Sequence, residues 1–421
     1  MLITLTSGGS RGDSQPYVAL GHGFKRAGNE VRFVTTPDYA PLVEGAGFDC
    51  RYVGLTIRSL MESEQGKAMV EAGGNPFRFL QGLKKLIEPV VEQMLVCAKE
   101  NFPGSDALVV PSSGAMFGSA AFEWLRIPFC TALLQPLAPT ALFQHPFFPP
   151  YAPWIPAGNR VYNRFSYALA DLAVKTIATP VIRRSLRKLG INPGPWASPK
   201  SPPRPLLLGF SPLVVAPPRD WPPHVKATGY WFLDLAAAFN PPADLVDFLK
   251  SGPKPVSIGF GSMSTRNPEE FTRLIVEALR ISRRRGVLIA GWGGMAKTKL
   301  PDSVFLVDSV PHDWLFPRMA AVVHHCGAGT TGAALRAGVP AVAVPFFADQ
   351  LFWARRLHEL GVAPKPIPRE RLTAENLAQA IAAAVDDKEI QNRAQELGGK
   401  IRQEDGVGAA VEIAERYFSK I

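Results

Sequence analysis

Three stretches of this chain share one design: a short apolar run, a turn of small residues, then a segment of helical character. They are "LITLTSGGSRGDSQPYVALGHGFKRAG" from Leu2, "PVSIGFGSMS" from Pro255 with the segment after it, and "AAVVHHCGAGTTGAALRAG" from Ala320. Nothing else in the sequence constrains the fold as tightly. A strand that runs at once into a helix must be carried back before the next strand can pair, so the strands lie parallel and helices cover the sheet. Other segments keep the rhythm: "EVRFVTT", "DALVVPSS" and "IPFCTALL" in the first half, "GVLIAGWGG", "VFLVDSV" and "PAVAVPF" in the second. "DYAPLVEGAG" reads as a second helix ending in glycine, and a further helix is expected from about Pro268 to Arg285.

The pattern is interrupted by the proline-rich tract "GPWASPKSPPRPLLLGFSPLVVAPPRDWPPH", Gly194 to His224, and then restarts. At 421 residues the chain is too long for one ordinary core and fits two domains of about 200 residues each. The expected fold class is α/β, with two Rossmann-like domains facing each other, residues 1–218 and 219–400. An amphipathic helix, "VGAAVEIAERYFSKI", follows within 401–421.

Hydrophobic residues make up 47% and charged residues 19%, enough to fill two cores and to exclude global disorder. The cysteines, Cys50, Cys97, Cys130 and Cys326, have no paired spacing, which argues against a disulfide framework and a zinc site. "MLITLTSGG" lacks the basic start and apolar length of a signal peptide, reads as a first strand, and points to a cytoplasmic protein. An adhesion ligand at Arg11-Gly12-Asp13 would need secretion, so that reading is disfavoured. The net charge is +10, with basic residues gathered in "IRRSLRKLG" (Ile182 to Gly190) and "RISRRRGV" (Arg280 to Val287). These are either solvated helix ends or a peripheral contact with an anionic membrane surface. No nucleic-acid motif accompanies them, and nucleic acid is not an expected partner.

Ile127 to Asn159 runs 33 residues without an Asp, Glu, Lys or Arg. Eight prolines within it exclude a membrane-spanning helix. Its aromatic content, "LQPLAPTALFQHPFFPPYAPWIP", fits either a well-packed loop or the apolar wall of a binding cleft.

The chemistry concentrates in "VVHHCGAGTTGAALRAGVPAVAVPFFADQ", Val322 to Gln350. A strand ends at His324-His325, a small-residue turn follows, and Thr330-Thr331 open a helix. Backbone N–H groups at such a helix start form an anion site. Gly327 and Gly329 admit a phosphate without a Cβ in the way, and the threonines add hydroxyls. One strand later, Asp349-Gln350 follow "VPFFA", where polar groups at a strand's carboxyl end meet ligands. A phosphate at one strand and a hydroxyl-rich group at the next outline a nucleotide sugar. A dinucleotide site is disfavoured because "GFGSMS" lacks the third glycine of its fingerprint, and the chain has no phosphate loop of the Gly-Lys-Ser/Thr kind.

From "VPHDWLFPRM" through "GVAPKPI" the sequence resembles the donor-binding signature of UDP-sugar glycosyltransferases, in the form carried by sterol 3-beta-glucosyltransferases. The resemblance extends to "ATGYWFLD", "PVSIGFGSMS", "QPLAPTALFQHPFFP" and "GSRGDSQPYVALGHGFKRAGNEVRFVT". It implies the two-domain GT-B fold with a central cleft, the acceptor on the N-terminal half and the donor on the C-terminal half. The C-terminal helix, 401–421, would pack back on the N-terminal domain. By position, His325 would bind the diphosphate, with Gly261, Ser262 and the turn Gly327, Ala328, Gly329, Thr330 and Thr331. Ser10, Arg11 and Gly12 of the first loop would face the donor. Asp349 and Gln350 would hydrogen-bond the hexose hydroxyls, and Val310 and His312 would flank the base. Cys326 is expected to be inert. No cofactor and no metal is implied, because the Asp-x-Asp pair of metal-dependent transferases is missing.

Transfer to an alcohol needs a base for its proton. The resemblance assigns that role to Asp13, with inversion at the anomeric carbon. Position alone favours a helix cap for Asp13, and both roles can coexist. His22 is a further candidate base, and Phe143, His145, Phe147, Phe148 and Trp154 are candidate acceptor contacts. The partners implied are a nucleotide sugar, UDP-glucose by the resemblance, and a sterol-like hydrophobic acceptor. A transferase of polyketide or peptide natural products using a UDP- or dTDP-sugar, and a non-catalytic lipid-binding protein, are the alternatives.

Overall fold

The computed structural model describes residues 1–8, 11–54, 56, 59–60, 63–64, 76–111, 126–150, 158–192, 203–263, 267–291, 295 and 300–420, and of 76–88 the backbone. They form two compact units, Met1–Leu233 with Asp405–Ile421, and Asp234–Glu404.

The first unit contains β1 (Leu2–Thr6), α1 (Arg11–Arg26), β2 (Glu30–Thr35), α2 (Ala40–Gly45), β3 (Asp49–Tyr52), α3 (Pro76–Asn101), β4 (Ala107–Val110), β5 (Phe129–Leu133), α4 (Gly158–Lys188), β6 (Leu206–Leu208) and β7 (Val225–Ala227). All pair in parallel, in the order β3-β2-β1-β4-β5-β6-β7. Central parallel strands are covered on both faces and read as unbroken apolar runs, and every residue of β4, "ALVV", is buried. Leu108 and Val110 pack with Val91 and Leu95 of α3 and with Ile182 and Leu186 of α4. Each such side chain contributes about 1.5–3 kcal/mol on burial. The unit boundary falls after Leu233 rather than after residue 218, because β7 pairs with β6 and extends the first sheet.

The second unit contains α5 (Ala243–Lys250), β8 (Val256–Gly259), α6 (Pro268–Ile281), β9 (Gly286–Ile289), β10 (Val304–Val307), α7 (His312–Leu315), β11 (Ala321–His324), α8 (Ala328–Ala337), β12 (Ala341–Ala343), α9 (Gln350–Glu359), α10 (Ala374–Asp386) and α11 (Lys388–Ile401). Its parallel sheet has the order β10-β9-β8-β11-β12. α6 stops at Ile281, short of the expected Arg285, because Arg283 takes the left-handed conformation, φ 53°. The basic cluster that follows makes contacts within the unit. Arg284 clamps Asp386 at 2.6 and 2.7 Å, and Arg285 lies 4.1 Å over the Phe248 ring.

The last helix, α12 (Gly406–Phe418), belongs to the first unit. It lies on α1 at Gly23, where a Cβ would meet Val407 Cγ1 at 2.5 Å and Val411 Cγ2 at 2.9 Å. Asn29 Nδ2 also donates to Glu415 Oε1 at 2.6 Å.

Candidate active site

Both strand orders contain one reversal. In the second sheet β8 has β9 on one side and β11 on the other, so the connections leaving their carboxyl ends diverge and open a crevice, the usual ligand position of such sheets. The turn Phe260–Met263 follows β8 and the turn His325–Gly327 follows β11. They converge on the His325 imidazole. A Cβ on Gly261 would lie 3.0 Å from His325 Cε1, and one on Gly327 would lie 2.6 Å from His325 Nε2. Both glycines are therefore required for the ring to sit where it does. Gly261 has φ 60°, and so has its neighbour Gly291 at 59°, where a Cβ would strike the Gly261 carbonyl oxygen at 2.2 Å. Sequence reading passed over Gly291; its signal was the glycine that ends "GVLIAG".

The two histidines differ in task. His324 is fully buried and its Nδ1 accepts the backbone N–H of Cys326 at 3.1 Å. Burial, with His325 and His312 nearby, pushes its pKa down to about 3. His325 has a buried Nδ1 without a partner, and burial lowers it to about 4. Burial thus favours the neutral imidazole at pH 7. Cys326 takes φ 64°, and burial drives its thiol far above the usual range, as an inert sulfur requires.

α8 begins at Ala328 after Gly327, with no side-chain cap. The first N–H groups of a helix have no partner within it. Thr331 N already bonds Gly327 O at 2.9 Å, which leaves the groups of Ala328, Gly329 and Thr330 for an incoming anion. Thr331 Oγ1 is buried and unpartnered. Ser262 and Thr330 are half-buried.

Two donor-site expectations change. Gln350 is buried, and its amide is engaged inside the unit. Its Oε1 accepts from Phe346 N at 2.8 Å and Phe347 N at 3.3 Å, and its Nε2 faces Met263 Sδ at 3.5 Å. It braces the segment before α9 instead of presenting an amide to a hexose. Val310 is buried in the core with Leu245, Val287 and Leu315, so its side chain has no face left for a base. His312 stacks on Phe316, with ring centres 4.4 Å apart and planes 14° from parallel. Asp349 is half-buried and oriented by Trp353, whose Nε1 donates to Oδ2 at 3.1 Å.

In the first unit the reversal lies between β1 and β4. Arg11-Gly12-Asp13 is not a loop but the first turn of α1. Asp13 is its third residue, half-buried, inside the helix rather than at the cap, where the helix dipole favours a carboxylate. Its charge helps to raise the hydroxyl pKa of Tyr17 and Tyr39, after the larger effect of burial. Tyr17 is pinned by donation to Ala132 O at 2.6 Å. Arg11 is exposed and its Nε donates to Gln15 at 3.3 Å; Gly12 is half-buried. Ser10 lies outside the described residues, as does Trp154. His22 packs on Phe48, ring centres 4.8 Å apart, and burial lowers its pKa.

The uncharged segment after β5 is tied down by Asp220, which accepts from Thr140 Oγ1 at 2.7 Å and Ala141 N at 2.9 Å. Phe143, Phe147 and Phe148 remain partly exposed. His145 is held among Phe147, Phe148 and Tyr167. Its Nδ1 takes the Phe147 N–H at 3.3 Å, and burial lowers it to about 4. That makes it a packed structural histidine.

Residues 3–142 match the glycosyltransferase family 28 N-terminal domain, and residues 291–407 match the erythromycin biosynthesis protein CIII-like C-terminal domain. A sterol 3-beta-glucosyltransferase of Arabidopsis thaliana is 35% identical over 98% of this chain and 64% of its own length. A second one from the same plant is 34% identical over 97% and 67%. The chain thus spans about two thirds of these plant relatives, and 27% of the length of a sterol 3-beta-glucosyltransferase from Cryptococcus neoformans. Among solved structures, the calicheamicin glycosyltransferase CalG4 superposes with a TM-score of 0.67 at 17% identity, over all of this chain and 98% of that one. Two parallel-sheet α/β domains of this kind, with about a third of the residues identical to those relatives over nearly the whole chain, mean that the chain belongs to the glycosyltransferases of the GT-B fold, in the branch of the sterol 3-beta-glucosyltransferases.

Proposed function

We propose that this protein transfers a hexose, glucose from UDP-glucose, to the hydroxyl of a sterol-like lipophilic acceptor. The observation that carries the reading is the His325 ring set between Gly261 and Gly327 beside the uncapped start of α8. This arrangement suits an anionic group such as a diphosphate. The sterol relatives support the acceptor class.

In the proposed step the Asp13 carboxylate accepts the acceptor's hydroxyl proton as that oxygen bonds the anomeric carbon. The bond from that carbon to the diphosphate breaks, and UDP leaves with the electron pair. Attack opposite the leaving group inverts the centre. The N–H groups of Ala328, Gly329 and Thr330, with His325 Nε2–H, receive the charge that grows on the diphosphate. This requires no cation from the protein. Asp349 holds the hexose hydroxyls, and Gln350 keeps the preceding backbone in place for it.

The decisive assay follows UDP release with sterols, flavonoids and macrolactones side by side. Turnover with a macrolactone while sterols stay at background overturns the acceptor assignment. Asp13→Asn should keep UDP affinity and lose about 10²–10⁴-fold in turnover; undiminished turnover removes Asp13 from the role of base.

A further inference from the structure

The segment 135–150, between β5 and α4, contains no helix and no strand. Pro136, Pro139, Pro146, Pro149 and Pro150 bring no N–H to it. Among the described residues its backbone makes two bonds within itself, Leu137 N to Gln135 O at 2.9 Å and Phe148 N to His145 O at 2.8 Å. Backbone groups taken out of water need partners, and here side chains supply them. From the first three turns of α4, the Tyr162 hydroxyl donates to Pro149 O at 2.7 Å and Asn163 Nδ2 to Ala141 O at 3.0 Å. The Tyr167 hydroxyl donates to Pro136 O at 3.3 Å, and Ser166 Oγ accepts the His145 N–H at 2.8 Å.

Two consecutive residues of the proline-rich tract hold the other side. Asp220 Oδ1 accepts the Thr140 hydroxyl at 2.7 Å, and Oδ2 accepts the Ala141 N–H at 2.9 Å and Arg164 at 3.3 Å. The Thr140 hydroxyl foremost, then Ala141 and Arg164, keep the Asp220 carboxyl below its ordinary pKa. Thr140 Oγ1 in turn accepts the Leu142 N–H at 3.1 Å. Trp221 Nε1 donates to Ala138 O at 3.1 Å, and its ring meets Phe143 edge-on, centres 6.4 Å apart. Val225 N bonds Pro222 O at 3.0 Å where β7 begins, so the pair is rooted at the edge of the sheet that carries β5. These bonds fix the backbone from Ala138 to Leu142 while Leu142 stays 60% exposed and Phe143 half-buried.

We infer that Asp220 and Trp221 are positioning residues for the acceptor, holding Leu142 and Phe143 as a preformed apolar wall for a rigid fused-ring skeleton. Neither takes part in the chemistry; both act through Ala138–Phe143. A wall ordered before binding spares the acceptor the cost of ordering it. Bonds to a carboxylate are stronger than those between neutral groups, which suits Asp220 to hold a segment with so few bonds of its own. The inference rests on the acceptor class proposed above and adds the residues that select it.

The test uses the full chain without a sugar donor. Hydrogen exchange over 137–148 should quicken about tenfold or more in Asp220→Ala and stay unchanged in α8. Titration with the fluorescent sterol dehydroergosterol should show about tenfold weaker binding, while UDP affinity by calorimetry stays within about twofold. Trp221→Phe keeps a ring and loses only the N–H, and should weaken sterol binding about threefold. Asp220→Asn can still accept the Ala141 N–H and donate to Thr140, and should recover most of the affinity. That recovery, and the split between sterol and UDP, are what general loss of stability does not produce. Unchanged exchange, unchanged sterol affinity in Asp220→Ala, or sterol and UDP weakening together overturns the inference. Wild-type chain that does not bind the sterol overturns it as well. Sterol binding that follows this pattern without any UDP release from UDP-glucose supports it and overturns the reaction instead.

Discussion

His324 Nδ1 accepts the backbone N–H of Cys326 at 3.1 Å, and this bond spans His325, whose ring sits against Gly261 and Gly327. It holds Cys326 at φ 64°, a conformation that costs a residue with a Cβ about 1–2 kcal/mol. A buried side chain thus sets the path of the backbone from β11 into α8, and with it the position of His325.

Replacing that acceptor should be felt at the donor. His324→Phe keeps the volume and leaves the Cys326 N–H buried without a partner, at a cost of about 1–3 kcal/mol. Urea unfolding should report this loss, and titration calorimetry should show weaker UDP binding. Unchanged UDP affinity would mean that the turn keeps its shape without His324.

Gly327→Ala tests the packing around His325 directly. Its φ of −61° and ψ of 146° suit alanine, so the backbone is not strained. The added Cβ instead sits 2.6 Å from His325 Nε2 and pushes the ring aside. UDP affinity should fall about tenfold or more while stability changes by about 1 kcal/mol or less. A variant that binds UDP normally argues that His325 has no part in the diphosphate contact.

Three packed histidines, His324 buried and His145 and His325 half-buried, should make stability depend on pH. His145, His324 and His325 are lowered from 6.5 to about 4, 3 and 4. Between about pH 6.5 and 4 the unfolded chain takes up protons that the folded chain refuses, so stability falls with falling pH. Each imidazole contributes up to about 1.4 kcal/mol per pH unit in that window. Urea midpoints should be flat between about pH 7 and 8 and drop steeply below that, and His145→Phe should flatten part of the drop.

The contact between α1 and α12 depends on Gly23. Gly23→Val places branched carbons where Val407 and Val411 already lie and should cost about 1–3 kcal/mol. Limited proteolysis should then cut at the start of α12. Val407→Ala in the same chain should restore protection; failure of that rescue would show that the damage arises elsewhere.

The alternation of apolar runs and glycine-ended turns was legible because it is local. Each strand of a parallel sheet is apolar over its own few residues, and each crossover helix starts where small residues allow the turn. The placement of His325, Gly327 and Thr331 at a strand-to-helix junction followed from the same adjacency. The roles that changed are those decided by distant partners. Gln350 turns inward because Met263 and the Phe346–Phe347 backbone wait there. Val310 joins a core built from α5, β9 and α7.

Sequence pattern thus determined the two α/β units, their parallel strands and the turn that suits a diphosphate, since those depend on residues within a few positions of one another. Tertiary structure decided the rest. It extended the first unit to Leu233 through β7, placed Asp13 in a helical turn near Tyr39, and left Val161, Phe165, Leu169 and Leu172 of α4 exposed. Which side of a helix is buried is set by what packs against it, and periodicity alone does not carry that information when both sides are apolar.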